Sequence, residues 1–153
     1  MQIFDRYKSS INQPLDVIEG HSIAIKREDL IHPIISGNKF RKLKYILKEV
    51  VDDNIPIVIT FGGAFSNHIA ATACAGKSMG IRTLGIVRGE EWKNKIFLSS
   101  TLSFCQKQGM HLICVSSSTL FDLYRSMYCT RRHGEGPPPV SMGQASRMGA
   151  PGQ

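Results

Sequence analysis

The stretch IVITFGGAFSNHIAATACAGKSMGIRTLGIVRGEEWKNKIFLSSTLSFCQKQGMHLICV, residues 57–115, decides the fold. Its opening, Ile57-Val58-Ile59-Thr60-Phe61, is a β-branched run of the kind that forms a fully buried strand. Gly62-Gly63-Ala64 turns the chain, and Ser66-Asn67 can cap the helix that follows. That helix, up to Met79, is rich in small residues (Ala70, Ala71, Ala73, Ala75, Gly76), which let it pack closely on a sheet. Gly80 suits the position just past its end. Arg82–Val87 reads as the next strand, Asn94–Gln108 as a helix ended by Gly109, and His111–Val115 as a third strand. The order β-α-β-α-β at short spacing predicts an α/β fold with a parallel sheet and right-handed crossovers.

Upstream of this unit, a helical pattern runs from Lys39 to about Val50, led in by Ser36-Gly37-Asn38 and broken by Asp52-Asp53-Asn54. His32-Pro33 marks a loop, because a residue before proline avoids helical angles. Ser22–Lys26 alternates around Ile23 and Ile25, as a half-buried strand would. Residues 1–20 form an extended lead-in punctuated by Pro14 and Gly20. Downstream, the text changes character from about Tyr128: three consecutive prolines, five of the fourteen glycines, and no apolar period. Residues 128–153 therefore read as a disordered tail. A shifted reading frame or a wrong splice would leave the same abrupt change.

At 153 residues, length alone suggests one domain with a sizeable core. Apolar residues at 42% and charged residues at 20% are ordinary globular usage, which excludes disorder of the whole chain. No apolar run is long enough for a membrane helix, and MQIFDRYKSS lacks the apolar segment of a secretory signal. Cys74, Cys105, Cys114 and Cys129 form no CxxC pair, and the histidines have no metal-ligand spacing. Scattered buried thiols in a reducing cytosol are the reading, with no metal site and a cytoplasmic location. The net charge of +7 suits nucleic acid, or equally a phosphorylated or carboxylated small molecule. The basic set Lys39, Arg41, Lys42, Lys44 and Lys48 has only Tyr45 and Phe40 interleaved, and reads as a solvated face rather than a nucleic-acid surface.

Two stretches could carry chemistry. On a wheel of about 100° per residue, Lys39 falls inside the arc of Phe40, Leu43, Ile46, Leu47 and Val50, with Arg41 and Lys48 opposite. Burial, the helix N-terminus and the like charge of Lys42 would each lower its pKa and favour a Schiff-base nucleophile. A packed stem with a snorkelling amine satisfies the same wheel. The second stretch, Phe61-Gly62-Gly63-Ala64-Phe65-Ser66-Asn67-His68, lies between a buried strand and a helix N-terminus. That is where open α/β sheets bind ligands, and where free N–H groups meet an anion. Ser66 could equally do no more than cap its helix. The stretch is neither a Walker A loop nor a GxSxG elbow. His68 taken alone suits a structural or solvent-facing role.

Lys26-Arg27-Glu28-Asp29-Leu30, Ser36-Gly37-Asn38-Lys39-x-Arg41-Lys42-Leu43 and Gly63-Ala64-x-Ser66-Asn67-His68, in this order, resemble the 1-aminocyclopropane-1-carboxylate deaminase/D-cysteine desulfhydrase family over about residues 11–125. The resemblance implies pyridoxal-phosphate enzymes of the tryptophan synthase β-like fold (fold type II), a three-layer α/β architecture. It implies that Lys39 forms the internal aldimine with pyridoxal 5′-phosphate and later moves protons at the substrate. Asn67 would bond the cofactor's phenolic oxygen. Ser66, Asn67 and His68 would meet the carboxylate of a small amino acid, with Ser66 also near the reacting atoms. Residues 1–50 would then be the N-terminal part of a large domain carrying the lysine helix, and 51–127 a small α/β domain. The family's second half supplies the phosphate cup, the partner of the pyridine nitrogen and tyrosines near the substrate, and residues 116–153 match none of it. The expectation is a truncated chain, inactive alone, of a protein that the family suggests is a homodimer. The alternative is a non-catalytic fragment that binds or regulates a full-length homologue.

Overall fold

The computed structural model describes residues 4, 9–17 and 19–129. In chain order the elements are β1 (Asn12–Pro14), β2 (Ala24–Lys26), α1 (Asn38–Asp52), β3 (Ile57–Gly63), α2 (Asn67–Met79), β4 (Arg82–Arg88), α3 (Ser100–Lys107), β5 (His111–Val115) and α4 (Ser117–Cys129). β1 and β2 make an antiparallel ribbon, and β3-β4-β5 make the expected parallel sheet. Its register pairs Gly63 with Arg88 and Arg88 with Val115. The carboxyl ends of the three strands are therefore level, and whatever follows each strand emerges at one rim.

The helix patterns place the core. In α1 the buried residues are Phe40, Leu43, Leu47 and Val50, spaced so that they share one stripe. They join Ile31, Ile35, Val58 of β3, and Ala71 and Ala75 of α2. A second cluster forms from Ala64, Ile69 and Ala73 of the α2 region with Val87, Leu102, Cys105 and Met110. α2 thus stands between two cores, and this explains its composition. Ala71 and Ala75 are fully buried against one core and Ala73 against the other, where larger side chains would force the layers apart. The expected caps are present: Ser66 accepts from the Ile69 amide, and Gly80 closes the helix in the left-handed region at φ 69°.

Four readings need correction or extension. The segment around Ile23 and Ile25 is not half-buried. Every residue of β1 and β2 is exposed, because no described element lies over the ribbon. The helix expected over 94–108 begins only at Ser100, because Glu90–Trp92 and Ile96–Leu98 are single 3₁₀ turns and the Ser99 hydroxyl caps the true start. Lys39, placed on the core arc, is half-buried and flanks the stripe, whereas Ile46 is half-buried and packs against the core as its place on the arc predicts. α4 was not expected at all. The tail expected from Tyr128 overlaps its last residues, and the rest of that tail lies outside the described residues. Among the described residues no helix is long and apolar enough to cross a membrane, and no group of His, Cys, Asp and Glu could hold a metal ion. Cys74, Cys105 and Cys114 are free thiols, and burial pushes Cys105 up to about 11.

Candidate active site

The level strand ends open into one cleft of about 600 Å³. Gly63, Ala64, Phe65 and Ser66 line it after β3, Arg88 through Trp92 after β4, and Ser116 and Ser117 after β5. This is the position at which parallel sheets bind ligands.

The loop after β3 is folded tightly back. A Cβ at Gly62 would stand 2.7 Å from Ser66 Oγ and 2.8 Å from Ile69, so only glycine lets the chain return this closely to the helix start. Gly63 has no such neighbour and faces open space, which leaves its backbone approachable. The Ser66 amide donates to Gly63 O at 3.1 Å, closing the turn. Ser99 holds the loop from the other side. It is fully buried, its hydroxyl donates to Ala64 O at 2.6 Å, and its oxygen accepts from the Leu102 amide at 3.1 Å. One side chain therefore caps α3 and fixes the loop before α2.

The wall after β4 depends on Gly89, at φ 116°, whose amide donates to Val115 O at 2.9 Å. A Cβ there would meet Trp92 at 2.7 Å. The turn brings Trp92 edge-to-face onto Phe65, with ring centroids 5.2 Å apart. Phe65 is otherwise 65% exposed, so this aromatic pair gives the cleft an apolar wall. After β5, Ser116 Oγ accepts from the Thr119 amide at 3.1 Å and heads α4.

Lys39 lies in the first turn of α1. The loop before it is tied to the helix at two points: Gly37 N–H donates to Glu28 O at 3.1 Å, and the Arg41 guanidinium forks onto the Glu28 carboxylate at 2.8 and 2.6 Å. The Arg41 fork and the Ser10 hydroxyl hold Glu28 down to about 2. The motif residues Glu28 and Arg41 are thus a structural clamp on the lysine-bearing turn.

Of the residues singled out from sequence, Ser66 lines the cleft, whereas Lys39, Asn67 and His68 do not. Asn67 is exposed and His68 half-buried at the start of α2. Arg88, Glu90, Glu91, Trp92, Ser116 and Ser117 were missed as lining residues. The strand-end rule applied to β3 would have found them, had it been applied to β4 and β5 as well.

No family model matches the chain. A putative 1-aminocyclopropane-1-carboxylate deaminase of Thermotoga maritima is 31% identical over 137 residues, which is 86% of this chain and 42% of that protein. The bifunctional D-cysteine desulfhydrase/1-aminocyclopropane-1-carboxylate deaminase of Arabidopsis thaliana is 42% identical over 69 residues, 45% of this chain and 17% of that one. A solved 1-aminocyclopropane-1-carboxylate (ACC) deaminase homologue superposes with a TM-score of 0.63 at 26% identity, over 92% of this chain and 46% of its own. The chain therefore spans less than half the length of these relatives. It is related to the N-terminal portion of the ACC deaminase/D-cysteine desulfhydrase proteins and shares their α/β fold.

Proposed function

We propose that this chain carries the lysine and carboxylate-binding portion of a pyridoxal-phosphate-dependent deaminase or desulfhydrase acting on a small amino acid, 1-aminocyclopropane-1-carboxylate or D-cysteine. The observation that carries the reading is the Ser66-capped start of α2 at the level carboxyl ends of β3-β4-β5. The first-turn N–H groups of a helix lack intrahelical acceptors and favour an anion. Gly63 leaves the adjoining backbone open to a ligand. Ser66, Asn67 and His68 would receive the substrate carboxylate there, and Asn67 would also bond the cofactor's phenolic oxygen. Lys39 would hold the cofactor through Nζ and move protons at the substrate carbons. Ser66, whose oxygen is engaged by the Ile69 amide, keeps its own proton to donate toward the reacting atoms. The cofactor, when bound, supplies an electron sink for the negative charge that develops at the substrate carbon. Loss of ammonia, or of sulfide and ammonia, would follow.

The activity is proposed for the protein at the length of its relatives, with residues 1–50 in its large domain and 51–127 as its small domain. The test is reduction with borohydride in the presence of pyridoxal phosphate, followed by peptide mapping. The adduct is expected on Lys39 and absent from Lys39→Ala. An adduct spread over Lys42, Lys44 and Lys48 with Lys39 unmodified overturns the reading.

A further inference from the structure

The loop Ile31–Gly37 delivers the chain from the exposed ribbon to the lysine-bearing turn, and its only inward anchors are Ile31 and Ile35, both buried. Between them stand His32 and Pro33. The His32 ring turns back on its own loop. Its Nδ1 accepts from the Ile34 amide at 3.1 Å and from the Ile35 amide at 2.9 Å. One unprotonated ring nitrogen therefore satisfies two backbone donors at the point where the chain dips into the core. We propose that neutral His32 is a latch that holds Ile35 in the core and so positions the Ser36–Lys39 turn, and that protonation of its Nδ1 releases the turn.

The chemistry of imidazole requires both halves of this statement. Nδ1 can accept only when the ring is neutral with its proton on Nε2; in imidazolium both nitrogens donate. Protonation would turn an acceptor for two N–H groups into a third donor facing them, leaving two amides unpaired beside a buried isoleucine. The charged groups on the flanking elements do not compensate. Asp29 is held by Arg27 at 2.7 Å, and Glu28 by Arg41 of α1. Burial alone lowers the His32 pKa from its ordinary 6.5, with no charged neighbour contributing. The sign follows. The latch contributes fully above about pH 6.5, and its contribution is lost as the pH falls from there through the lower folded value.

The latch itself is independent of any cofactor; only its consequence for catalysis rests on the assignment of Lys39. It is tested by nitrogen-15 NMR of the full chain between pH 8 and 5, without cofactor. Expected is a His32 Nδ1 shift characteristic of an unprotonated acceptor at high pH. On acidification the Ile34, Ile35 and Lys39 amides should move with the His32 titration. Exchange at Ile34 and Ile35, corrected for the intrinsic pH effect, should rise about tenfold, as loss of an acceptor implies. His32→Asn supplies a side-chain oxygen that can accept from the same two amides and does not titrate. It should keep the loop in place and abolish the pH response, while His32→Ala loosens the loop at every pH. Titration of His32 without movement of the Ile34 and Ile35 amides overturns the proposal. So does a His32→Asn protein whose loop is as loose as that of His32→Ala. The wild-type titration decides the matter even if a variant fails to fold.

Discussion

The sheet unit, Ile57–Val115, and the segment ahead of α1, residues 9–37, are built on opposite terms. In the sheet unit, buried apolar residues from α2, β4 and α3 interlock: Ile69, Ala73, Val87 and Leu102 are all fully buried. In the ribbon every residue is exposed, with Ile25 at 46%. A two-stranded ribbon is marginal by itself. What holds this segment to the rest is the pair of anchors Ile31 and Ile35 and the Arg41 fork on Glu28, while Arg27 on Asp29 and Gln13 and His32 on its own loop tie the segment to itself. The two residues proposed for catalysis fall one in each regime. Ser66 stands on the rigid rim of the sheet, whereas Lys39 stands at the end of the clamped loop. The Ser66 loop is fixed by packing together with the buried Ser99 hydroxyl, and the turn bearing Lys39 by the buried Ile35 and Phe40 together with the Arg41–Glu28 clamp.

That contrast is broken first by cutting the core. Leu102→Ala leaves a cavity in a fully buried cluster and should cost about 2–5 kcal/mol in denaturant unfolding. A truncation of exposed Ile25 costing as much would erase the distinction between the regions. The next largest effect is expected at Ser99, where one buried hydroxyl serves both Ala64 O and the Leu102 amide. Ser99→Ala should cost about 1–3 kcal/mol. Under the proposed function it should also lower kcat/KM in the protein at full family length, because the loop before Ser66 loses its brace. Loss of stability with kinetics untouched would show that the loop holds its shape without Ser99.

The smallest effect sharpens the other side. Glu28 is held at about 2 against an ordinary 4.5, chiefly by Arg41 and then by Ser10. A depressed carboxyl contributes stability that is present above pH 4.5 and lost as the pH falls toward 2. In Glu28→Gln, thermal melts should differ little from wild type at pH 7 beside the Leu102 effect, and the fall in Tm between pH 5 and 3 should be shallower. An unchanged acid slope would mean that the clamp does not couple to folding.

Much of this was legible in advance. Ile57-Val58-Ile59-Thr60-Phe61 forms the strand its β-branched run predicts, but not a fully buried one: Val58 and Thr60 are buried, Ile59 and Phe61 half-buried and Ile57 exposed. Ser66 and Gly80 bracketed α2 by cap chemistry that acts within a few residues. The start of α3 was misplaced because Asn94–Leu98 carries helix-compatible residues, while the decision lay with Ser99, whose hydroxyl reaches Ala64 across 35 positions of chain. The exposure of Ile23 and Ile25 was hidden for a related reason. Alternation tells which residues share a face, and not whether anything covers it. The cleft was half-read: the loop after β3 announced itself by its glycines, while Arg88 and Trp92 follow from the same strand-end rule applied to β4, and the parallel register brings them to the same rim.

The sequence by itself determined the parallel α/β order, the capped helix start at Ser66 and the likeness to the deaminase/desulfhydrase proteins, because these rest on periodicity, capping and short motifs that act over a few residues. The tertiary structure alone decided that the three strand ends stand level around one cleft, and that Phe65 meets Trp92 there. It alone decided that Glu28 and His32 clamp the turn bearing Lys39. These depend on contacts between residues distant in the chain or on the direction in which a side chain folds back, and pattern along the chain encodes neither.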